Sequence, residues 1–252
     1  MIKIGLLGCG NIGRIIAARA ENVQVVAVFD ANPGRAEELA ALCHARPYTD
    51  FDAFMKEDFS IVVEAASIDA VRRYGEAILR SGRDIIVLSV GAFADDEFRE
   101  RLVEAAREVG KKIRIPSGAI IGLDNLKIGQ ISPPKKLLLR TTKPPASLGM
   151  TAETRTEVFK GLARDCIKLY PKNINVAVAL GLAAGRETHV ELWVDPAVER
   201  IIHEISVEGD FGEISIQVKN VPSPDNPATS YMAALSVLTL LKNLENPLVV
   251  GT

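Results

Sequence analysis

Through the first half of the chain, short continuous apolar runs alternate with stretches of helical period. The runs Ile2–Leu7, Val25–Phe29, Ile61–Ala66 and Asp84–Leu88, with a short Lys112–Ile115 ended by Pro116, predict buried parallel strands. Between them, Arg35–Cys43 keeps Ala36, Leu39, Ala40 and Leu42 apolar, and Asp69–Arg80 and Asp95–Val109 also read as helices. Strand and helix in alternation imply a doubly wound parallel sheet.

After Gly122 the pattern changes. Lys136–Thr142 predicts a strand cut off by Lys143-Pro144-Pro145, and Thr156–Tyr170, apolar at Val158, Leu162, Ile167 and Leu169, predicts an amphipathic helix. Residues 171–175 read as a loop, Val176–Ala184 as an apolar helix, and Val190–Val194 as a strand closed by Asp195-Pro196. Ile202–Glu208 and Glu213–Lys219 flank Gly209-Asp210-Phe211-Gly212 and predict a hairpin. Tyr231–Leu244, behind a Thr229 or Ser230 cap, is a strongly apolar helix that needs a large apolar partner surface, on the first domain or in a subunit contact.

The first strand leads into Gly8-Cys9-Gly10-Asn11-Ile12-Gly13, then a helix, a second strand and Asp30. This is a dinucleotide-binding fingerprint in its proper setting: Gly8 for the tight turn, Gly10 for close approach of a pyrophosphate, Gly13 for helix packing on the sheet. Asp30 follows Gly10 at the distance of the acid that accepts ribose hydroxyls, which favours NAD over NADP. Arg35, shortly after, keeps NADP possible. The expected fold is therefore α/β, an N-terminal Rossmann doubly wound parallel sheet with a second, smaller α/β domain holding an antiparallel or mixed sheet. The Rossmann domain is placed at residues 1–116, joined by the C-terminal helical segment 225–252. Residues 117–224 form the domain for substrate, catalysis and oligomerisation.

Composition narrows the partners. At 252 residues, 48% hydrophobic and 25% charged, the chain has an ordinary globular make-up. A net charge of −2 without a basic patch argues against nucleic acid and against polybasic membrane attachment. The longest apolar stretches, such as Val176–Ala184, are too short to span a bilayer, and Met1 leads directly into a strand rather than a signal peptide, so a cytoplasmic location is expected. Cys9, Cys43 and Cys166 lack paired-ligand spacing, so neither disulfides nor a metal site is expected.

In doubly wound sheets ligands lie at the carboxyl ends of the strands. That rule nominates Glu64-Ala65-Ala66-Ser67, Ser89-Val90-Gly91-Ala92 and Ser117-Gly118-Ala119. The cofactor set is then Gly8, Gly10, Asn11, Ile12, Gly13, Asp30, Ala66, Ser67, Ser89 and Val90. A dehydrogenase also needs a proton carrier, and histidine titrates nearest neutrality. His44 reads as a surface residue and His189 as a loop residue, whereas His203 stands inside Ile201-Ile202-His203-Glu204-Ile205. Such a histidine is either a satisfied sheet-face residue or the proton carrier. Lys143, stiffened by two prolines, suits a substrate carboxylate or acid–base work. Asn173 and Asn175 suit a carboxamide or a helix cap.

The blocks GCGNIG, SVGAFAD, PSGAIIGLD, TTKPPASL, IKLYPKNINVAVAL and DPAVERIIHEI, in this order over nearly the whole chain, resemble the L-aspartate dehydrogenase family. The resemblance implies NAD(P)-dependent oxidation of L-aspartate to iminoaspartate, then to oxaloacetate and ammonia, by a homodimer. It also implies a supply of iminoaspartate to quinolinate synthase for NAD biosynthesis. On the matching blocks, His203 takes the place of the family's catalytic histidine, and Ala119 and Asn175 of its NAD-binding positions. Ser117, Gly118, Thr142 and Lys143 are assigned to the substrate carboxylates. Two alternatives stand beside this reading. One is another Rossmann-type dehydrogenase or reductase of a small carboxylated substrate, although Cys166, mid-helix, is a poor nucleophile for a phosphorylating semialdehyde enzyme. The other is a non-catalytic NAD(H)-sensing regulator.

Overall fold

The structure, a computed structural model, describes residues 1–170, 175–223 and 226–251. The chain divides into two units, Met1–Pro116 with Ala234–Leu248, and Ser117–Ala233 with Val249–Thr252.

The first unit runs β1 Ile2–Leu7, α1 Asn11–Arg19, β2 Val23–Phe29, α2 Pro33–Cys43, β3 Arg46–Tyr48, α3 Phe51–Phe54, β4 Ile61–Glu64, α4 Ile68–Arg80, β5 Asp84–Val87, α5 Asp96–Glu108 and β6 Ile113–Arg114. Its strands form one sheet in the order β3-β2-β1-β4-β5-β6, all parallel. This is the doubly wound order with the crevice-forming reversal beside β1. The helices start where the sequence supplies oxygen caps: Asn32 accepts from the Arg35 N–H, Ser67 from Ala70 and Asp95 from Phe98. Helix α1 differs, because Gly10 at its cap position offers no side chain. Strand β3 and helix α3 were not expected from the sequence; both are too short to show a period.

The second unit runs α6 Leu123–Leu126, β7 Lys136–Lys143, β8 Thr156–Leu162, α7 Ala163–Leu169, α8 Asn175–Ala184, β9 His189–Val194, β10 Ile202–Gly209, β11 Gly212–Lys219, β12 Pro222–Ser223 and β13 Asn226–Ser230. Five strands form a mixed sheet in the order β11-β10-β7-β9-β8, in which only β7 and β9 pair in parallel. The expected single helix over Thr156–Tyr170 is corrected here. Its first half is the edge strand β8, paired to β9 through a register shift between Glu157 and Phe159 that hides the strand's alternation. Residues 226–230, read as the lead-in to the terminal helix, instead form β13 against β12. The predicted loop at 171–174, including Asn173, and the domain boundary at Pro224 lie outside the described residues.

The terminal helix α9, Tyr231–Asn243, belongs to the first unit from Ala234 onward. Its Val237 and Leu241, 0% and 2% exposed, join the cluster of Ile4, Leu6, Ile16, Leu39 and Val63. Full burial of such side chains contributes about 1.5–3 kcal/mol each. The apolar helix thus finds its partner surface on its own chain.

Candidate functional site

The glycine turn after β1 is built for a ligand's backbone contacts. Gly8 has φ +106°, and a Cβ there would meet Ala65 and Ala66 backbone atoms at 2.7 Å. At Gly13 a Cβ would stand 2.3 Å from the Gly8 carbonyl oxygen, so glycine is what lets α1 pack against the turn. Gly10 is the opposite case: nothing lies within 4 Å of an added Cβ, so open space faces the peptide. That space has room for a pyrophosphate, which the first N–H groups of the nine-residue helix α1, without a side-chain cap at Gly10, would hold. Asn11 and Ile12 are that helix's first residues.

Asp30, just past β2, accepts from the Cys9 N–H at 2.9 Å and the Asn32 N–H at 2.9 Å, one on each oxygen. Each oxygen keeps a second lone pair, so the carboxylate can hold the turn and still accept ribose hydroxyls. These residues fit a dinucleotide. Cys9 is packed into the turn, and burial first, with Asp30's charge second, pushes its thiol up to about 12, which makes it inert.

At the ends of β4 and β5 the sequence-nominated loops are joined by a residue not singled out before. Glu64, 0% exposed, accepts four hydrogen bonds. The Ala66 N–H (2.8 Å) and Ser89 hydroxyl (2.8 Å) donate to Oε1, and the Ser89 N–H (3.0 Å) and Leu88 N–H (3.2 Å) to Oε2. The Ser89 hydroxyl is committed inward to Glu64, whereas the exposed Ser67 hydroxyl accepts the α4 cap bond and keeps its own O–H to donate. Val90, in the second of these loops, is buried.

In the second unit, antiparallel register places His203 opposite Thr141. The imidazole Nδ1 lies 2.9 Å from the Thr141 hydroxyl, and both residues are buried. Alternation then puts Lys143, two residues on from Thr141, on the same sheet face, and Thr142 on the other. By the same alternation Thr142, expected beside Lys143 as a substrate ligand, lies on the other face of β7, and Thr141 is the threonine that shares a face with His203 and Lys143. Burial, and after it the charge of Lys143, pushes the His203 imidazole down to about 3, so it is neutral near pH 7. Burial likewise pushes Lys143 down to about 8.

Ser117, Gly118 and Ala119 form a loop with Gly118 at φ +65°. Asn220, 1% exposed at the end of β11, donates from its side-chain amide to the Ala119 carbonyl at 3.0 Å, a link across 101 residues that the sequence did not announce. Asn175 begins α8. His44 is exposed at the end of α2 and His189 is exposed at the start of β9. Among the described residues no group of three or more His, Cys, Asp or Glu side chains is placed to hold a metal, and no helix is long and apolar enough to cross a membrane.

Known proteins match both units. Residues 7–116 match the family model described as homoserine dehydrogenase, NAD binding domain, and residues 124–244 the model described as aspartate dehydrogenase, C-terminal. The chain is 60% identical to the L-aspartate dehydrogenase of Methanospirillum hungatei over the whole of both chains. It is 42% identical to that of Methanothermobacter thermautotrophicus, over 100% of this chain and 99% of the relative. The crystal structure of aspartate dehydrogenase from Thermotoga maritima superposes with a TM-score of 0.83 at 31% identity, covering 100% of each chain. A fold-level likeness extends to the WlbA dehydrogenase from Bordetella pertussis, TM-score 0.53 at 15% identity, covering 96% of this chain and 94% of that one. With its glycine turn, its helix without a side-chain cap and an acid at the end of the second strand, the chain is an NAD(P)-dependent oxidoreductase, and it belongs to the L-aspartate dehydrogenase family.

Proposed function

We propose that the protein oxidises L-aspartate to iminoaspartate, which water converts to oxaloacetate and ammonia. NAD(P), when bound, supplies the hydride acceptor for the substrate's Cα–H. The second unit supplies the proton chemistry, and the observation that carries this reading is the buried His203–Thr141 pair with Lys143 on the same sheet face.

The amine must be neutral when the hydride leaves, since an ammonium has no lone pair to form the C=N bond. His203 is held neutral and thus available to accept a proton. Thr141 engages Nδ1, so Nε2 is the nitrogen that exchanges the proton, and acceptance there requires Nδ1–H to donate to the Thr141 hydroxyl. Approach of a substrate with two carboxylates offsets the Lys143 charge and raises the imidazole's basicity when it is needed. Lys143, Ser117 and the peptide at Gly118 hold those carboxylates, with Thr141 positioning the imidazole. Ala119 and Asn175 meet the cofactor, as do Gly8, Gly10, Asn11, Ile12, Gly13, Asp30, Ala66, Ser67, Ser89 and Val90. For the hydrolysis that follows, the imidazole first gives that proton to solvent, then takes one from the attacking water and returns it to the departing ammonia.

The reading extends to a homodimer in the cytoplasm that hands iminoaspartate to quinolinate synthase. Trp193, on the less buried face of the second unit's sheet with the Arg155 guanidinium 4.8 Å over its ring, is the aromatic side chain that a second copy would cover. Sedimentation equilibrium of wild type and Trp193→Ala tests that part. The catalytic assignment is tested by His203→Ala, expected to lower kcat by about two or more orders of magnitude, the scale of general acid–base catalysis, with NADH affinity near wild type. A variant with near wild-type turnover contradicts it.

A further inference from the structure

We propose that Glu64, as a buried carboxylate, is a positioning residue for the nicotinamide half of NAD(P), clamping the loops after β4 and β5 into one rigid edge. The proposal rests on the cofactor reading and assigns work to a charged group that the proton chemistry above does not use.

Three observations carry it. Glu64 is the last residue of β4, wholly buried, at the carboxyl edge where doubly wound sheets bind ligands. Its two oxygens accept four hydrogen bonds, three of them from backbone N–H groups of Ala66, Leu88 and Ser89, which fill the four lone-pair positions of a carboxylate and oppose the burial that pushes its pKa up. The bonds leave from one side chain to two separate loops, with a sequence separation of 2 to Ala66 and of 25 to Ser89. An ordinary structural glutamate would be exposed and ion-paired; this one has no cation among its four donors.

Topology says which half of the cofactor this edge serves. A fold of two mononucleotide-binding halves, strand order 3-2-1-4-5-6, puts the adenosine side with β1–β3 and the nicotinamide side with β4–β6. Asp30 and the glycine turn lie in the first half, Glu64 and its partners in the second. A glutamine cannot copy the clamp. If its oxygen faces the Leu88 and Ser89 N–H groups, its NH2 can donate to the Ser89 hydroxyl but must confront the Ala66 N–H, leaving that donor buried without an acceptor. The Ala66–Ser67 loop is then released while the turn after β1 keeps all its bonds.

The test is a pair of affinities measured on the full chain by calorimetry, NADH against ADP. Glu64→Gln is expected to weaken NADH about tenfold, the consequence of one unsatisfied buried donor, while ADP stays within about twofold. Hydrogen exchange should quicken at the Ala66 amide and not at Cys9. Should Glu64→Gln fail to fold, Ser89→Ala, which deletes one of the four bonds, carries the same test with about threefold loss for NADH alone. Equal weakening of both ligands, or no change in either, overturns the proposal. Failure of the wild type to bind NADH would instead strike the cofactor reading beneath it.

Discussion

His203 makes the structure's electrostatics measurable without any substrate. In the fold its imidazole is pushed down to about 3 from an ordinary 6.5, by burial first and the neighbouring Lys143 charge second. Between those values the unfolded chain binds a proton at this residue and the native chain does not. Stability is therefore fully present above pH 6.5 and is lost as pH falls toward 3, at about 1.4 kcal/mol per pH unit once well below 6.5. Between pH 7 and pH 5 this single residue removes about 2 kcal/mol. Any folded-state value below about 4 gives nearly the same difference, because at pH 5 the native imidazole is then still neutral. His203→Gln keeps a polar partner for Thr141 and abolishes the titration. Urea unfolding of wild type and variant at both pH values isolates the term, since the carboxylates titrate alike in both proteins. The variant should lose about 2 kcal/mol less than wild type on going from pH 7 to pH 5. Equal losses would refute the claim that His203 is buried and neutral beside a charged lysine.

Two further predictions follow from the packing. Gly10→Ala, whose Cβ meets nothing within 4 Å, should unfold within about 0.5 kcal/mol of wild type yet bind NADH about tenfold more weakly; Gly13→Ala, with its Cβ 2.3 Å from the Gly8 oxygen, should lose about 1–3 kcal/mol of stability as well as affinity. Leu241→Ala, in the α9 stripe packed into the first unit's core, should cost about 2–5 kcal/mol in urea unfolding, and a loss below about 1 kcal/mol would deny that the helix seals that core.

The sequence made the β1–α1–β2 unit legible because its signals are local: a continuous apolar run, glycines at fixed spacing and an acid at the second strand's end. His203 was visible as an oddity among isoleucines, but its neighbours were not. Whether Thr141 or Thr142 stands beside it depends on the parity of the β7–β10 register, which no local pattern encodes. Glu64 was read only as part of a loop, because its partners Leu88 and Ser89 lie about 25 residues away, and Asn220 reaches Ala119 across 101. Thr156–Leu162 carries a helical signal in the sequence because an edge strand with a register shift shows no clean alternation, while apolar residues at 158, 162, 167 and 169 mimic a helical stripe.

The central claim is that a neutral buried histidine and a dinucleotide-binding turn together oxidise L-aspartate. The direct test is growth of NADH absorbance with purified protein, NAD and L-aspartate, beside L-malate, L-glutamate and L-homoserine and with NADP in parallel. The account predicts growth with L-aspartate alone among these substrates, and faster with NAD than with NADP because a carboxylate at Asp30 would repel a 2′-phosphate. No growth with L-aspartate, in a preparation that binds NADH, would contradict it.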